Sequence, residues 1–501
     1  MFELVPDRFR HLIFRTAIYD WLLAAKPPAS VRVPAGDAGL ACEACWYADA
    51  LSPPQGFDAP ALRSDFRWLG AQHARTAQAW PQIAAWIGQN HRWHADHWRA
   101  DILAERLTRW LGAYDIISIG IDPDERQAWA AAILQNARHL GRAPLDGIEP
   151  WRRFLVHQGR INAAIALPEL ENTLPRRLAE FGHDVDRQIL GDGGHIERAP
   201  ARALAVLALL GEIRDALGGH HVEPPRELIA AIDRIVPFIK ALCHADGGFA
   251  LIGGAISRTA PLIEDVIRAS GGKGRAMISA PYTGFHRLRA GQTTLIADCG
   301  ETRVAGPGFR APASFELSVG KVRLIGNCGM RLANDGARAK WLPALASTAA
   351  HSTLVINNKD AGPLGTATVK RRDHEGARLI EMDHDGYQAA FGIRHNRAIY
   401  IDGSGSDIRG EDVLSGGRSQ PFSVRFHLHP EVRASMVAGG GEVIIKPPRG
   451  RGWRFSCPYP VMLDDSVSFF DGRQHRAQQI VILGNHEPDR TTVKWRLGID
   501  S

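Results

Sequence analysis

The stretch ILGDGGHIERAPARALAVL, residues 189–207, sets Asp192, His195, Glu197 and Arg198 directly ahead of a helical run. Carboxylates beside an imidazole are the raw material of general acid–base chemistry. The mouth of a helix also draws anions, because its first N–H groups have no intrahelical partner. The same residues equally make an ordinary capped loop. Pro200 suits a first helical turn, and Leu204, Leu207, Leu210, Ile213 and Leu217 form the apolar stripe that Gly218-Gly219 ends. A related turn, DGGFA, stands at 246–250, again after a helix. Two such turns one hairpin apart predict helical pairs whose equivalent ends lie on one side. Farther on, FSVRFHLHP (422–430) alternates, with Phe422, Val424, Phe426 and Leu428 on one face and Ser423, Arg425, His427 and His429 on the other. The second face either lines a cleft or meets solvent.

Elements of two kinds must position these residues. From about 60 to 275, segments such as ADILAERLTRWLGAYDII, ERQAWAAAILQNARHLG and PRELIAAIDRIVPFIKALC carry apolar residues at three- and four-residue spacing. Beyond SGGKGR (270–275) the period becomes two. TTLIADCG, KVRLIGNCG, STLVINN, RAIYIDG, EVIIKPP, QIVILGN and TVKWRLG read as short strands with no helix between them, which predicts an antiparallel sandwich. The expected division is an N-terminal extension to residue 60, a helical domain over 61–278 and a β-domain over 279–501.

The totals narrow the function. A chain of 501 residues is too long for one core. At 45% hydrophobic and 23% charged, with a net charge of +6, it has an ordinary globular composition. The longest basic run, Lys370-Arg371-Arg372, is too short for a nucleic-acid patch, so none is expected as a partner. Cys42 and Cys45 form a lone CxxC with no second pair at zinc-site spacing, and read as two unrelated thiols among six cysteines. The N-terminal segment carries arginines inside its apolar run and does not read as a secretory signal. No stretch is apolar enough to span a membrane.

Several of these segments, in this order, resemble the heparinase II/III-like family of polysaccharide lyases. The residues that carry the resemblance are DGGHIERAP in the helical half, then YTGFHRLRAGQTTLIADCG (282–300), STAAHSTLVINNKDAG (347–362), IRHNRAIYIDGSGSDIRGEDVL (393–414) and FSVRFHLHP. The resemblance implies an incomplete α/α toroid followed by an antiparallel β-sandwich, with the cleft between them. It implies β-elimination on an acidic, uronate-containing polysaccharide. There a carboxylate is neutralised by polar donors, a base takes the neighbouring proton, and an acid protonates the leaving oxygen.

On that resemblance His351 and His195 are the expected catalytic residues. Tyr282, near the domain junction, is the substitute acid. Glu197, Arg198, Arg202, Arg425 and His427 are the expected substrate contacts, Arg198 by bidentate pairing. No cofactor is required. A structural divalent metal has no assignable ligands, although His351, His427 and His429 are considered for it. The family loop runs Glu-Arg-Ser-Pro-x-Tyr-His, whereas ERAPARA puts Arg202 and Ala203 at the last two places. This departure keeps two alternatives alive: a non-catalytic carbohydrate-binding member of the fold, and a glycoside hydrolase using paired carboxylates such as Asp192, Glu197 and Asp246. The resemblance implies the cell envelope or periplasm, with the cytoplasm as the alternative. Oligomeric state stays open.

Overall fold

The structure is a computed structural model and describes residues 7–500 apart from 25, 35–42, 46–47, 49–63, 70–73, 258, 301–309 and 332–335. Helices predominate as far as Ala260–Ser270, strands begin at Ser279–Ala280, and two helices, Gly336–Leu345 and Gln388–Phe391, interrupt the strands, against the expectation of none between them. No described helix is long and apolar enough to cross a membrane.

Two helices differ from their sequence pattern. Ala100–Ser118 and Pro200–Gly219 were expected to show one apolar face, yet each is buried on nearly every side. A helix in that position is interior, so its charges must be paired. Asp101 takes Arg152 at 2.6 Å and Arg99 at 2.6 Å. Arg106 donates to Asn136 Oδ1 and to the carbonyls of Ser64 and His97, and lies 4.1 Å from the Trp86 ring. Residues ahead of position 60, read as an extension, supply Tyr19 and Leu23 to the same core as Trp98, Trp110 and Trp129. Cys45 is a buried free thiol; Cys42 lies outside the described residues.

The β-half is two antiparallel sheets. The nine-stranded sheet runs in the order Ser279–Ala280, Phe285–Ala290, Thr293–Asp298, Ser314–Val319, Val322–Gly326, Pro421–Leu428, His475–Asn485, Val461–Ser468, with Leu354–Ile356 also on Pro421–Leu428. The eight-stranded sheet runs Arg433–Met436, Glu442–Lys446, Trp453–Ser456, Arg490–Ile499, Asp407–Ser415, Ile393–Ile401, Ala377–Tyr387, Ala367–His374. Phe315, Phe426, Phe455 and Trp495 fill the space between them.

A buried charged network ties the layers together. Arg397 donates to Asp412 Oδ1 at 2.6 Å and to the carbonyls of Ala313 and Ser352 at 3.0 and 2.9 Å. His395 meets the same carboxylate at 2.8 Å and His384 at 3.0 Å. Burial alone would raise the Asp412 pKa, but Arg397 and His395 outweigh it and hold the carboxyl below its ordinary value.

Candidate functional site at the domain junction

The two Asp-Gly-Gly turns are built alike. Ile189 bridges His195, and Cys243 bridges Phe249. Gly193 N–H donates to Leu190 O in one turn, and Gly247 N–H to His244 O in the other. Each aspartate closes its own turn, Asp192 Oδ1 on Gly194 N–H and Asp246 Oδ1 on Gly248 N–H. Gly193 has φ +81°, and a Cβ there would stand 2.0 Å from the Arg234 carbonyl oxygen. Only glycine fits that approach.

Both turns reach the nine-stranded sheet. Asp192 Oδ2 accepts the Thr283 N–H at 2.7 Å and its hydroxyl at 3.0 Å. Asp246 holds Arg323 through two bonds of 2.8 and 3.0 Å. The repeat visible in the sequence is thus a pair of rivets between the helical domain and the sandwich. The hydrolase alternative needs these carboxylates open to substrate; Asp192 and Asp246 are spent on the junction instead.

The loop after Asp192 turns inward. His195 is fully buried; its Nε2–H donates to Gln188 Oε1 at 3.0 Å, while Nδ1 accepts the Glu197 N–H at 3.3 Å. Its ring meets Phe154 edge-on at 6.4 Å. Burial pushes its pKa down to about 3, helped by Arg202. Glu197 is pushed up to about 7, chiefly by burial against the opposing pull of Arg202. Arg202 bonds Glu197 Oε1 at 2.5 Å and Glu149 Oε1 at 3.1 Å. Arg198, with φ +53°, donates to the Thr283 carbonyl at 2.6 Å, pairs with Asp298, and lies 4.7 Å from the Phe285 ring. Arg198 and Arg202 were expected to contact substrate; both guanidiniums are buried and internally paired, because each neutralises a carboxylate that the fold has taken out of water.

Tyr282 is placed differently. Its ring packs on Gly191 beside the Asp192 turn and is 56% exposed. His351 is buried; its Nδ1–H donates to Ser347 O at 2.8 Å, and burial lowers its pKa. Asp298, which pairs with Arg198, is one of three carboxylates, with Glu316 and Asp360, whose charge opposes that lowering at His351. The His195 ring itself points away, into the helical core.

The outer face of Pro421–Leu428 is not a solvated face. The Ala349–Ser352 segment and Ser466 cover His427, which uses Nε2–H on Ala349 O at 2.9 Å and Nδ1 on the Ser466 hydroxyl at 2.8 Å. Arg425 is half-buried and bonds Gln479 Oε1 at 3.1 Å. His429 sits against Phe470. Both ring nitrogens of His427 are committed, so it has no lone pair for a metal. Among the described residues no group of three or more His, Cys, Asp or Glu side chains can hold a metal ion. The residues considered for a structural divalent metal do not fit one.

Sequence reasoning missed Asp298, Glu149 and the group of Glu316 with His244, Arg323 and Asn327. Glu316 accepts the Asn327 N–H at 2.9 Å and faces His244 Nε2 at 3.2 Å, wholly buried where the Asp246 turn docks. A single charge inside an otherwise apolar strand, as in SFELSV or TTLIAD, is the signal that could have found them.

The sequence profile of the family described as "Heparinase II/III-like, C-terminal" matches residues 272–496. Those residues are similar to that C-terminal domain. Over nearly the whole chain the fold is that of heparinase III: one solved structure superposes with a TM-score of 0.74 over 98% of this chain and 90% of that one, at 13% identity. The heparan sulfate lyase HepC from Pedobacter heparinus gives 0.65 over 99% and 89%, also at 13% identity. Among curated proteins, FtsZ-localized protein C of Caulobacter vibrioides (strain NA1000 / CB15N) is 29% identical over 486 residues, which cover 90% of this chain and 83% of that protein. The toroid-and-sandwich architecture expected from the sequence is therefore the one present.

Proposed function

We propose that this heparinase-like chain binds acidic polysaccharide on a lyase fold without cleaving it by the lyase route, as a localised protein of the cell envelope. One observation carries the reading. At the place where the resemblance expects the tyrosine acid, Arg202 is buried between Glu197 and Glu149. The rest of the loop agrees with it. His195 is neutral and sealed among Gln188, Glu197 and Phe154, and Arg198 is spent on Asp298. Elimination needs an acid, a base and a carboxylate partner that reach the same sugar, and all four loop candidates, His195, Glu197, Arg198 and Arg202, are buried. The Caulobacter relative is named for where it resides, with FtsZ, and not for a reaction. We extend that localisation with FtsZ to this chain as part of the proposal.

Tyr282 favours a second reading. It is the one expected catalytic residue that is largely open to solvent, and with His351 as base it could supply the missing acid of a lyase. Elimination leaves a conjugated double bond, so ultraviolet absorbance on a panel of uronate polymers separates the readings. Co-sedimentation with the same polymers measures binding. Binding without absorbance is expected, beside a heparinase III control that gives both. A steady absorbance rise that His351→Ala abolishes would establish the lyase.

A further inference from the structure

A cavity lies on the side of the sandwich away from the junction. All the rivets described above engage the nine-stranded sheet, whereas a hollow of about 680 Å³ opens on the outer face of the eight-stranded sheet. Strand register builds it. Leu379 pairs with Tyr400, Tyr400 with Arg409, Arg409 with Arg496, Arg496 with Ser456, and Ser456 with Glu442. One cross-strand row thus places six side chains from six strands along one wall. At ~4.8 Å between strands the row is roughly 24 Å long, a groove for a chain of ring units and not for a single one.

The charges on this wall are unevenly matched. Asp407 accepts Arg409 through Nε and a terminal nitrogen at 2.9 and 2.6 Å, and also accepts Arg496 Nε at 2.7 Å. Two guanidiniums share one carboxylate, which leaves a positive charge in excess beside the half-buried Tyr400 ring. Both arginines are mostly exposed, at 63% and 60% of their side chains. In the neighbouring row Glu411 faces Lys494 at 3.5 Å, and at the far end Glu442 faces Arg454 at 2.6 Å. Those carboxylates repel a phosphate or sulfate dianion but accept hydrogen bonds from hydroxyls. A guanidinium edge for a carboxylate, an aromatic face for a ring and carboxylates for hydroxyls are together the complement of a uronate sugar.

We propose that this groove binds a carboxylated oligosaccharide at a second site, with the sugar carboxylate on Arg496 and Arg409 and a ring against Tyr400. The site stands whether or not the junction cleft cleaves anything. Its test is calorimetric titration of the full chain with tetra-galacturonate, a neutral tetrasaccharide and inorganic phosphate, combined with hydrogen-exchange mapping. Tetra-galacturonate should protect backbone amides in 396–411 and 490–498. Tyr400→Ala and Arg496→Ala should each weaken this event at least tenfold with unchanged thermal midpoints. Arg496→Lys should restore it only partly, since an ammonium cannot pair bidentately. Protection confined to 189–198 and 279–300 would overturn the second site and leave the cleft reading intact. So would equal binding by all three variants, or binding of phosphate or the neutral sugar in place of the uronate. Absence of any uronate binding would overturn both.

Discussion

Replacing Arg198 by alanine removes three contacts at once: the bond to the Thr283 carbonyl, the ion pair with Asp298 and the stacking on Phe285. Asp298 stays buried, its side chain 12% exposed, with the Gly300 N–H at 3.2 Å as a remaining donor. Breaking a buried pair from one side costs ~3–5 kcal/mol, because the surviving charge is uncompensated. The Gly300 bond puts this case at the lower end, about 3–4 kcal/mol. At ~2–4 °C per kcal/mol for a domain of this size, the thermal midpoint should fall by roughly 6–16 °C. Removing Asp298 as well should return about 2 kcal/mol, since the orphaned charge goes with it. Circular dichroism melts of Arg198→Ala, Asp298→Ala and the double variant measure the cycle, and polyuronate co-sedimentation is run on the same samples. A variant that melts with the wild type yet loses the polymer would refute the reasoning: the guanidinium would then serve substrate and not the junction.

The junction should also sense pH. Burial pushes Glu316 up to about 7 from its ordinary 4.5, so between those values the folded chain keeps a proton that the unfolded chain has lost. Stability attributable to this carboxyl therefore falls as pH rises through that window. Glu316→Gln should gain on the wild type by on the order of 2–3 kcal/mol between pH 5 and pH 8 in urea titrations; a pH-independent difference would count against the buried acid. Rebuilding the family pair with Arg202→Tyr and Ala203→His should not create a lyase. It leaves Glu197 and Glu149 without their cation and forces an imidazole into a fully buried site, so a loss of ~3 kcal/mol or more is expected with no unsaturated product. Product formation from that variant would show the loop to be a damaged active site.

The fold was legible because periodicity reports burial on one face, and the change of period near residue 275 is sharp. Pattern fails where burial is two-sided. The polar positions of Ala100–Ser118 and the Arg425–His427 face look solvated in sequence, yet partners distant in the chain cover them, among them Arg152, Ala349 and Ser466. The twin Asp-Gly-Gly turns were visible as a repeat. Their job was not, since Thr283 and Arg323 lie some eighty residues downstream. Residue type at Arg198 and Arg202 suggested a ligand carboxylate. The carboxylates they meet belong to the protein, and nothing local distinguishes the two.

The Arg397 network bears on how the sandwich assembles. Its guanidinium needs Asp412 from its own sheet and the Ala313 and Ser352 carbonyls from segments bordering the other. A half-built sandwich with either layer missing holds a dehydrated cation without its acceptors, which is a costly state. The layers are therefore expected to close together and late, after chain segments 45 and 84 residues apart have met. Such a step folds slowly but, once complete, leaves few partly open forms for a protease to find.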